Sequence, residues 1–96
     1  MNFRLIPFRF FNAAMNMAID ETIMEGIRNG TTAPTIRLYG WEPSAVSIGC
    51  FQGLQYEVNE EACRQAGVDV VRRITGGGAV FHDRDGEVTY SILGPL

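Results

Sequence analysis

From Asn2 to Phe8 apolar and polar side chains alternate as in a strand, with Phe3 and Leu5 on one face. Pro7 has no N–H for a ladder, so it limits this strand and sets it at a sheet edge. At Asn12 the period changes. Met15, Ala18, Ile19, Ile23 and Ile27 recur at helical spacing, which predicts a helix of about four turns from an N-cap at Asn12 to a stop at Asn29-Gly30. After a loop at Thr31-Thr32-Ala33-Pro34, the β-branched runs Thr35 to Tyr39 and Ser44 to Ile48 predict two neighbouring strands, joined tightly through Gly40-Trp41-Glu42-Pro43. Asn59 caps a second helix reaching about Ala66, with Val58 and Cys63 spaced as a hydrophobic staple and Gly67 as the stop. Val68 to Arg73 returns as a strand. Ala79 to His82 and Glu87 to Ile92 predict two more, and the Asp-Gly of Asp83-Arg84-Asp85-Gly86 predicts a hairpin between them. Helices and strands in this order make an α+β unit with helices packed on a mixed, mainly antiparallel sheet. Ser91-Ile92-Leu93 is still strand-like when Gly94-Pro95-Leu96 closes the sequence, so the unit is expected to be incomplete.

Ninety-six residues make one small domain at most, burying somewhat over ~60% of the unfolded surface. The net charge is −3, and the basic residues are scattered except for Arg72-Arg73, so no stripe follows a phosphate backbone and nucleic acid is disfavoured as a partner. Apolar runs fall far short of the ~18 residues of a membrane span. The N-terminus lacks the apolar core of a signal peptide, so a cytoplasmic location is expected. Cys50 and Cys63 form no CxxC pair, and with His82 as the sole imidazole they exclude a structural zinc site; both read as reduced, packed thiols. All eight basic residues are arginine. Without lysine these residues carry no Gly-Lys-Ser/Thr P-loop, no Schiff-base amine and no ammonium for charge developing on phosphate.

The candidate chemistry lies in Arg72-Arg73-Ile74-Thr75-Gly76-Gly77-Gly78-Ala79-Val80-Phe81-His82-Asp83. A lone glycine triplet is most often a tight turn. Here a buried strand leads into it through two guanidinium groups and another strand follows, leaving open backbone N–H groups on a rim beside fixed positive charge. An anionic or carbonyl-bearing ligand suits that rim. Adjacent strand residues point to opposite faces, so one of Arg72 and Arg73 aims at the ligand, and the order is open. By the same divergence Asp83 is poorly placed to orient His82, which on its own reads as a structural hydrogen-bonding group at a strand end and not as a general base. Asn16 and Asp20, four apart on the first helix and with Glu21 adjacent, read on their own as a solvated polar face. Cys50 has no identifiable cationic neighbour and reads as inert. Tyr39, Trp41, Val46, Ile48, Val80 and Phe81 are mostly core, with a minority left to line a narrow slot.

Three stretches together resemble the lipoate–protein ligase and octanoyltransferase family, relatives of biotin–protein ligase. They are Met15-Asn16-Met17-Ala18-Ile19-Asp20-Glu21, then Trp41-Glu42-Pro43-Ser44-Ala45-Val46-Ser47-Ile48-Gly49 with Gln52, and the arginine–glycine run through His82-Asp83. The resemblance implies that residues 1–96 are the N-terminal portion of a catalytic domain of the class II synthetase and biotin-ligase type. It implies lipoate or octanoate as substrate, bound by Arg72, Arg73, Thr75, Gly76, Gly77, Gly78, Ala79, His82 and Gln52. Asn16, Asp20 and Glu21 would support the glycine loop from the helix. The family's lysine would lie past Leu96, and no metal ligand is implied within these residues. An eight-carbon chain in the slot would gain about 0.8 kcal/mol per buried methylene. For a ligase, ATP and Mg²⁺ would form an acyl-adenylate that a lysine of a lipoyl domain then attacks, the acceptors being 2-oxoacid dehydrogenase E2 subunits or the glycine-cleavage H protein. Alternatives are octanoyl transfer from acyl carrier protein without ATP, and a non-catalytic module that binds lipoate or a partner; a separate accessory domain is a further candidate partner. The glycine motif differs from that of biotin–protein ligase, in which arginine is interleaved among the glycines.

Overall fold

The first helix begins as the sequence requires: the Asn12 side chain accepts from the Met15 N–H at 2.8 Å, and the chain leaves strand β1 (Arg4–Phe11) for α1 (Ala13–Arg28). Asn59 repeats the device for α2 (Glu60–Gln65), accepting from the Ala62 N–H at 3.0 Å. Both helices stop at the expected glycines, Gly30 at φ 74° and Gly67 at φ 71°. The remaining strands are β2 (Thr35–Trp41), β3 (Ala45–Ile48), β4 (Asp69–Arg72), β5 (Val80–His82) and β6 (Thr89–Leu93). This computed structural model describes residues 2–53 and 58–95.

The α+β class is as expected, and the strands form two mixed three-stranded sheets, ordered β1-β2-β6 and β4-β3-β5. Each sheet has one parallel pair, β1 with β2 and β3 with β4, and one antiparallel pair, β2 with β6 and β3 with β5. Three local expectations are corrected. Pro7 does not end β1, which continues to Phe11; as an edge strand it needs no N–H there, and a register shift between Ile6 and Arg9 absorbs the proline. β2 and β3 are not paired neighbours. Glu42 N donates to Phe11 O in the first sheet and Asp69 N donates to Ser44 O in the second, with Pro43, which has no N–H, between them.

The third correction concerns the hairpin. Asp83 to Gly86 does turn, with Asp85 N donating to Asp83 Oδ1 at 3.2 Å. Arg84, however, anchors this turn to the β2–β3 crossing through its N–H to Ser44 Oγ at 2.8 Å and its Nε to Glu42 Oε1 at 3.1 Å. The chain therefore changes sheet here too, with β5 pairing β3 and β6 pairing β2.

The core lies between α1 and the sheets: Ala13 and Met17 meet Tyr39, Trp41 and Ala45, with Val71 packed alongside. The face of β2 turned to α1 carries Thr35, Arg37 and Tyr39, all buried. Arg37, 1% exposed, donates Nη1 to Asp20 Oδ1 at 2.7 Å and to Asn16 O at 3.1 Å, and Nη2 to Asn16 Oδ1. Asn16 Nδ2 donates to Gly40 O at 2.9 Å and Phe11 O at 3.3 Å. The solvated polar face is thus overturned for Asn16 and Asp20, which are buried against a cation the helix pattern did not reveal; only Glu21 is exposed. Leu5, Tyr90 and Ile92 are exposed on the first sheet. No helix among the described residues is long and apolar enough to cross a membrane.

Candidate active site

The two arginines diverge at the end of β4, as strand geometry requires, and each holds a different loop. Arg72 Nη1 donates to Gly49 O at 3.1 Å, Cys50 O at 3.2 Å and Gln52 O at 2.7 Å. Gln52 completes that loop by accepting from the Gly49 N–H at 2.7 Å through its Oε1. Arg73 Nη1 donates to Ser47 Oγ at 2.6 Å, while Nη2 donates to Gly76 O at 3.1 Å and Gly78 O at 2.7 Å. With its carbonyls drawn to Arg73, the glycine loop has oxygens committed and amides to spare. Among the described residues no acceptor takes the N–H of Gly76, Gly77 or Gly78, and all three glycines are exposed.

Two glycines are dictated by geometry. Gly77 has φ 103°, a conformation costly for any residue with a Cβ. A Cβ on Gly49 would stand 2.3 Å from Gly77 O, so the two loops pass in backbone contact, tied as well by Cys50 N donating to Thr75 O at 2.9 Å. We expect Gly49→Ala to push the glycine loop away and to lower stability by about 1–3 kcal/mol; denaturant unfolding checks it, and an unchanged stability would contradict the contact. At Gly76 and Gly78 a Cβ would meet nothing within 4 Å, so packing within the chain does not account for those two glycines.

Beside the loop opens a cavity of about 320 Å³ with largely apolar walls, within the range of small-molecule sites. Met17 and Asp20 come from α1, Tyr39 and Trp41 from β2, Thr89 to Leu93 from β6, His82 from β5, and Arg73, Ile74 and Thr75 from the start of the loop. Burial pushes the Tyr39 phenol up from its ordinary range, so it stays protonated. Its OH lies 3.1 Å from Ser91 Oγ, which itself donates to Asp20 Oδ2 at 2.8 Å, leaving Tyr39 as the donor of the pair.

Of the apolar residues singled out by sequence, Tyr39 and Trp41 line this cavity, whereas Val46, Ile48, Val80 and Phe81 do not. Ile48 is core, and Val80 and Phe81 are largely exposed, because β5 pairs with β3 and turns only His82 inward. Ala79 and Thr75 are exposed beside the glycines. Asn16 and Asp20 bond to Arg37 and the β2 backbone, with no bond to the glycine loop, so α1 meets the site through Met17 and Asp20 at the cavity wall. Cys50 and Cys63 are free thiols, both half-buried. Among the described residues no three His, Cys, Asp or Glu side chains converge to hold a metal ion.

Sequence reasoning missed Ser47 and Glu87. His82 is 7% exposed, stacked on Trp41 with ring centres 4.0 Å apart, and bonded through Nε2 to Ser47 Oγ at 2.8 Å and through Nδ1 to Glu87 Oε2 at 2.7 Å. The available signal was an isolated serine among the apolar residues of β3, where a buried hydroxyl needs a partner.

The family model of the lipoyl protein ligase A/B catalytic domain matches residues 12–96. Among curated proteins, octanoyltransferase LipM of Clostridioides difficile is 49% identical over 90 residues, which is 94% of this chain and 32% of that protein. The fold matches a crystal structure of lipoate-protein ligase A bound with ATP at TM-score 0.79 and 35% identity, covering 94% of this chain and 36% of the other. A bi-partite lipoate protein ligase from Thermoplasma acidophilum, described with its E2 lipoyl domain, matches at TM-score 0.70 and 30% identity, covering 94% and 34%. The chain thus spans about a third of the length of the curated relatives it matches. Motif order, sheet arrangement and the family match over residues 12–96 agree, and the chain belongs to the lipoyl protein ligase A/B catalytic domain family.

Proposed function

We propose that these residues are the acyl-binding part of an octanoyltransferase that passes an eight-carbon acyl group from acyl carrier protein to a lysine of a lipoyl domain, without ATP. The observation that carries the reading is the glycine loop itself: Arg73 holds the carbonyls of Gly76 and Gly78 while the amides of Gly76 to Gly78 stay unspent beside an apolar cavity of about 320 Å³. Those amides would donate to the acyl carbonyl oxygen and stabilise the negative charge that gathers there during transfer. Arg73 adds fixed positive charge beside the same oxygen, and Thr75, Ala79 and His82 border it. Arg72 and Gln52 keep the neighbouring loop in place, and Asn16 and Asp20 secure the cavity wall through Arg37, while Glu21 on the same helix faces solvent. Burying the six methylenes of an octanoyl chain between Met17, Trp41 and Leu93 is worth about 5 kcal/mol at ~0.8 kcal/mol each.

In the net reaction the thioester C–S bond breaks and an amide C–N bond forms. The proton lost by the lysine amine ends on the released thiol. Octanoyl transfer is preferred over ligation because the curated relatives near 49% identity are named octanoyltransferases. Ligation of lipoate with ATP and Mg²⁺ is the second reading, favoured by the fold likeness to the ATP-bound lipoate-protein ligase A. The acceptor would be an E2 subunit or the glycine-cleavage H protein, and the place of action the cytoplasm. A non-catalytic lipoate-binding module, or a part needing a separate accessory domain, is the remaining outcome of the test.

The experiment is the intact mass of an apo lipoyl domain after incubation with the natural polypeptide that carries these residues. An octanoyl increment from octanoyl carrier protein without ATP is expected. An increment only with lipoate, ATP and Mg²⁺ would select the ligase, and none under either condition would leave a binding module.

A further inference from the structure

Two residues outside the acyl-site motif are tied to it by a directed file of hydrogen bonds. Arg73 is an obligate donor, so its 2.6 Å bond from Nη1 occupies a lone pair of Ser47 Oγ. The second lone pair could still accept, but the Ser47 hydroxyl is fully buried and its proton has no acceptor among the described residues other than His82 Nε2 at 2.8 Å, which sets the direction of that bond. A ring nitrogen that accepts is unprotonated, so the imidazole proton sits on Nδ1 and is donated to Glu87 Oε2 at 2.7 Å. From the other end Trp41 Nε1, also an obligate donor, donates to Thr89 Oγ1 at 2.9 Å, and the Thr89 hydroxyl donates to the same Glu87 oxygen. Both ends of the file donate, and the Glu87 carboxylate is where they meet.

Serine, histidine and glutamate in hydrogen-bonded order also make the set of a nucleophilic triad, and burial decides against it. Ser47 is 0% exposed and its oxygen is pinned by Arg73, so no substrate carbon reaches it. We propose instead that Ser47 and Glu87 are positioning residues: Glu87 fixes His82 as the neutral Nδ1–H tautomer, His82 orients the Ser47 hydroxyl, and Ser47 sets the rotation of the Arg73 guanidinium so that Nη2 meets the Gly76 and Gly78 carbonyls. The loop amides then face the acyl group in one arrangement. The role in acyl binding rests on the reading given under Proposed function; the tautomer does not.

The first test is long-range ¹H–¹⁵N correlation of the histidine rings in the natural polypeptide, with the His82 signals identified by their loss in His82→Gln. Protonated Nδ1 and unprotonated Nε2 are expected; a proton on Nε2, in the other tautomer or in a doubly protonated ring, would overturn the file. The second is steady-state kinetics of octanoyl transfer. Ser47→Ala and Glu87→Ala should each raise KM for the acyl donor by about 10–100-fold with a much smaller change in kcat, while Glu87→Gln, which keeps the acceptor oxygen, should stay close to wild type. Wild-type KM in folded Ser47→Ala and Glu87→Ala proteins would refute the positioning role. Should those variants not fold, the tautomer measurement still decides, and a wild-type protein without acyl transfer would count against the acyl-site reading and not against the file.

Discussion

Arg73→Lys is expected to cut kcat/KM for acyl transfer by about a hundredfold while leaving thermal unfolding close to that of the natural protein. The guanidinium spans a fork: Nη1 reaches Ser47 Oγ while Nη2 reaches two carbonyls of the glycine loop. An ammonium keeps the charge but is a single point, so it serves the serine or the loop and not both. With the Gly76 and Gly78 carbonyls released, the peptide planes are free to rotate and the loop amides lose their fixed arrangement. Arg73 sits at the partly exposed end of a strand, and this is why the loss falls on activity and not on the fold. The measurement is kcat/KM with a carrier-bound octanoyl donor beside a melting curve. Activity within a few-fold of wild type would show that charge alone suffices.

Arg37→Met is expected to have the largest effect on stability, a loss of about 3–5 kcal/mol by denaturant unfolding. Methionine matches the stem of arginine in bulk, so the cost is electrostatic and not a cavity. The pair of Arg37 with Asp20 has side chains 1% and 12% exposed, and among the described residues no buried side-chain polar atom lacks a partner. Removing the guanidinium strands a buried carboxylate and the Asn16 Oδ1 it had satisfied. It also removes the cation stacked 3.7 Å over the Tyr39 ring. Adding Asp20→Asn to Arg37→Met should recover part of the loss, because it takes away the stranded charge. A single variant within about 1 kcal/mol of wild type would mean the pair carries no net weight.

Both predictions rest on residues of differing visibility in the sequence. The helix caps at Asn12 and Asn59, the glycine stops and the strand runs were legible because each depends on its neighbours in the chain. The divergence of Arg72 and Arg73 was legible for the same reason, since alternation along a strand is local. What alternation did not reveal is which strands share a sheet. Ser44 and Glu42 both bind Arg84 across forty residues or more, and that anchor sends β5 and β6 to separate sheets where Asp85-Gly86 alone suggested a hairpin.

Arg37 escaped notice for a related reason. On β2 the buried face is Thr35, Arg37 and Tyr39, and the half-buried face is the aliphatic one, Ile36 and Leu38, the reverse of the usual inference from hydrophobicity. Only pairing with Asn16 and Asp20 on α1 makes that burial affordable. The glycine loop and its arginines stood out as a motif, but Ser47 and Glu87 lie outside it: Ser47 meets Arg73 and His82 only once β3 is paired with β4 and β5, and Glu87 joins through His82.

The most direct test of the central claim, that the acyl chain lies in the cavity beside the glycine loop, is photolabelling with octanoate carrying a diazirine near its methyl end. After irradiation of the natural polypeptide, peptide mapping should place the label on Met17, Trp41 or Leu93, and unlabelled octanoate should compete it away. Competed label on the outer sheet face around Leu5 and Phe8, or label that octanoate fails to displace, would contradict the assignment of this cavity as the acyl site.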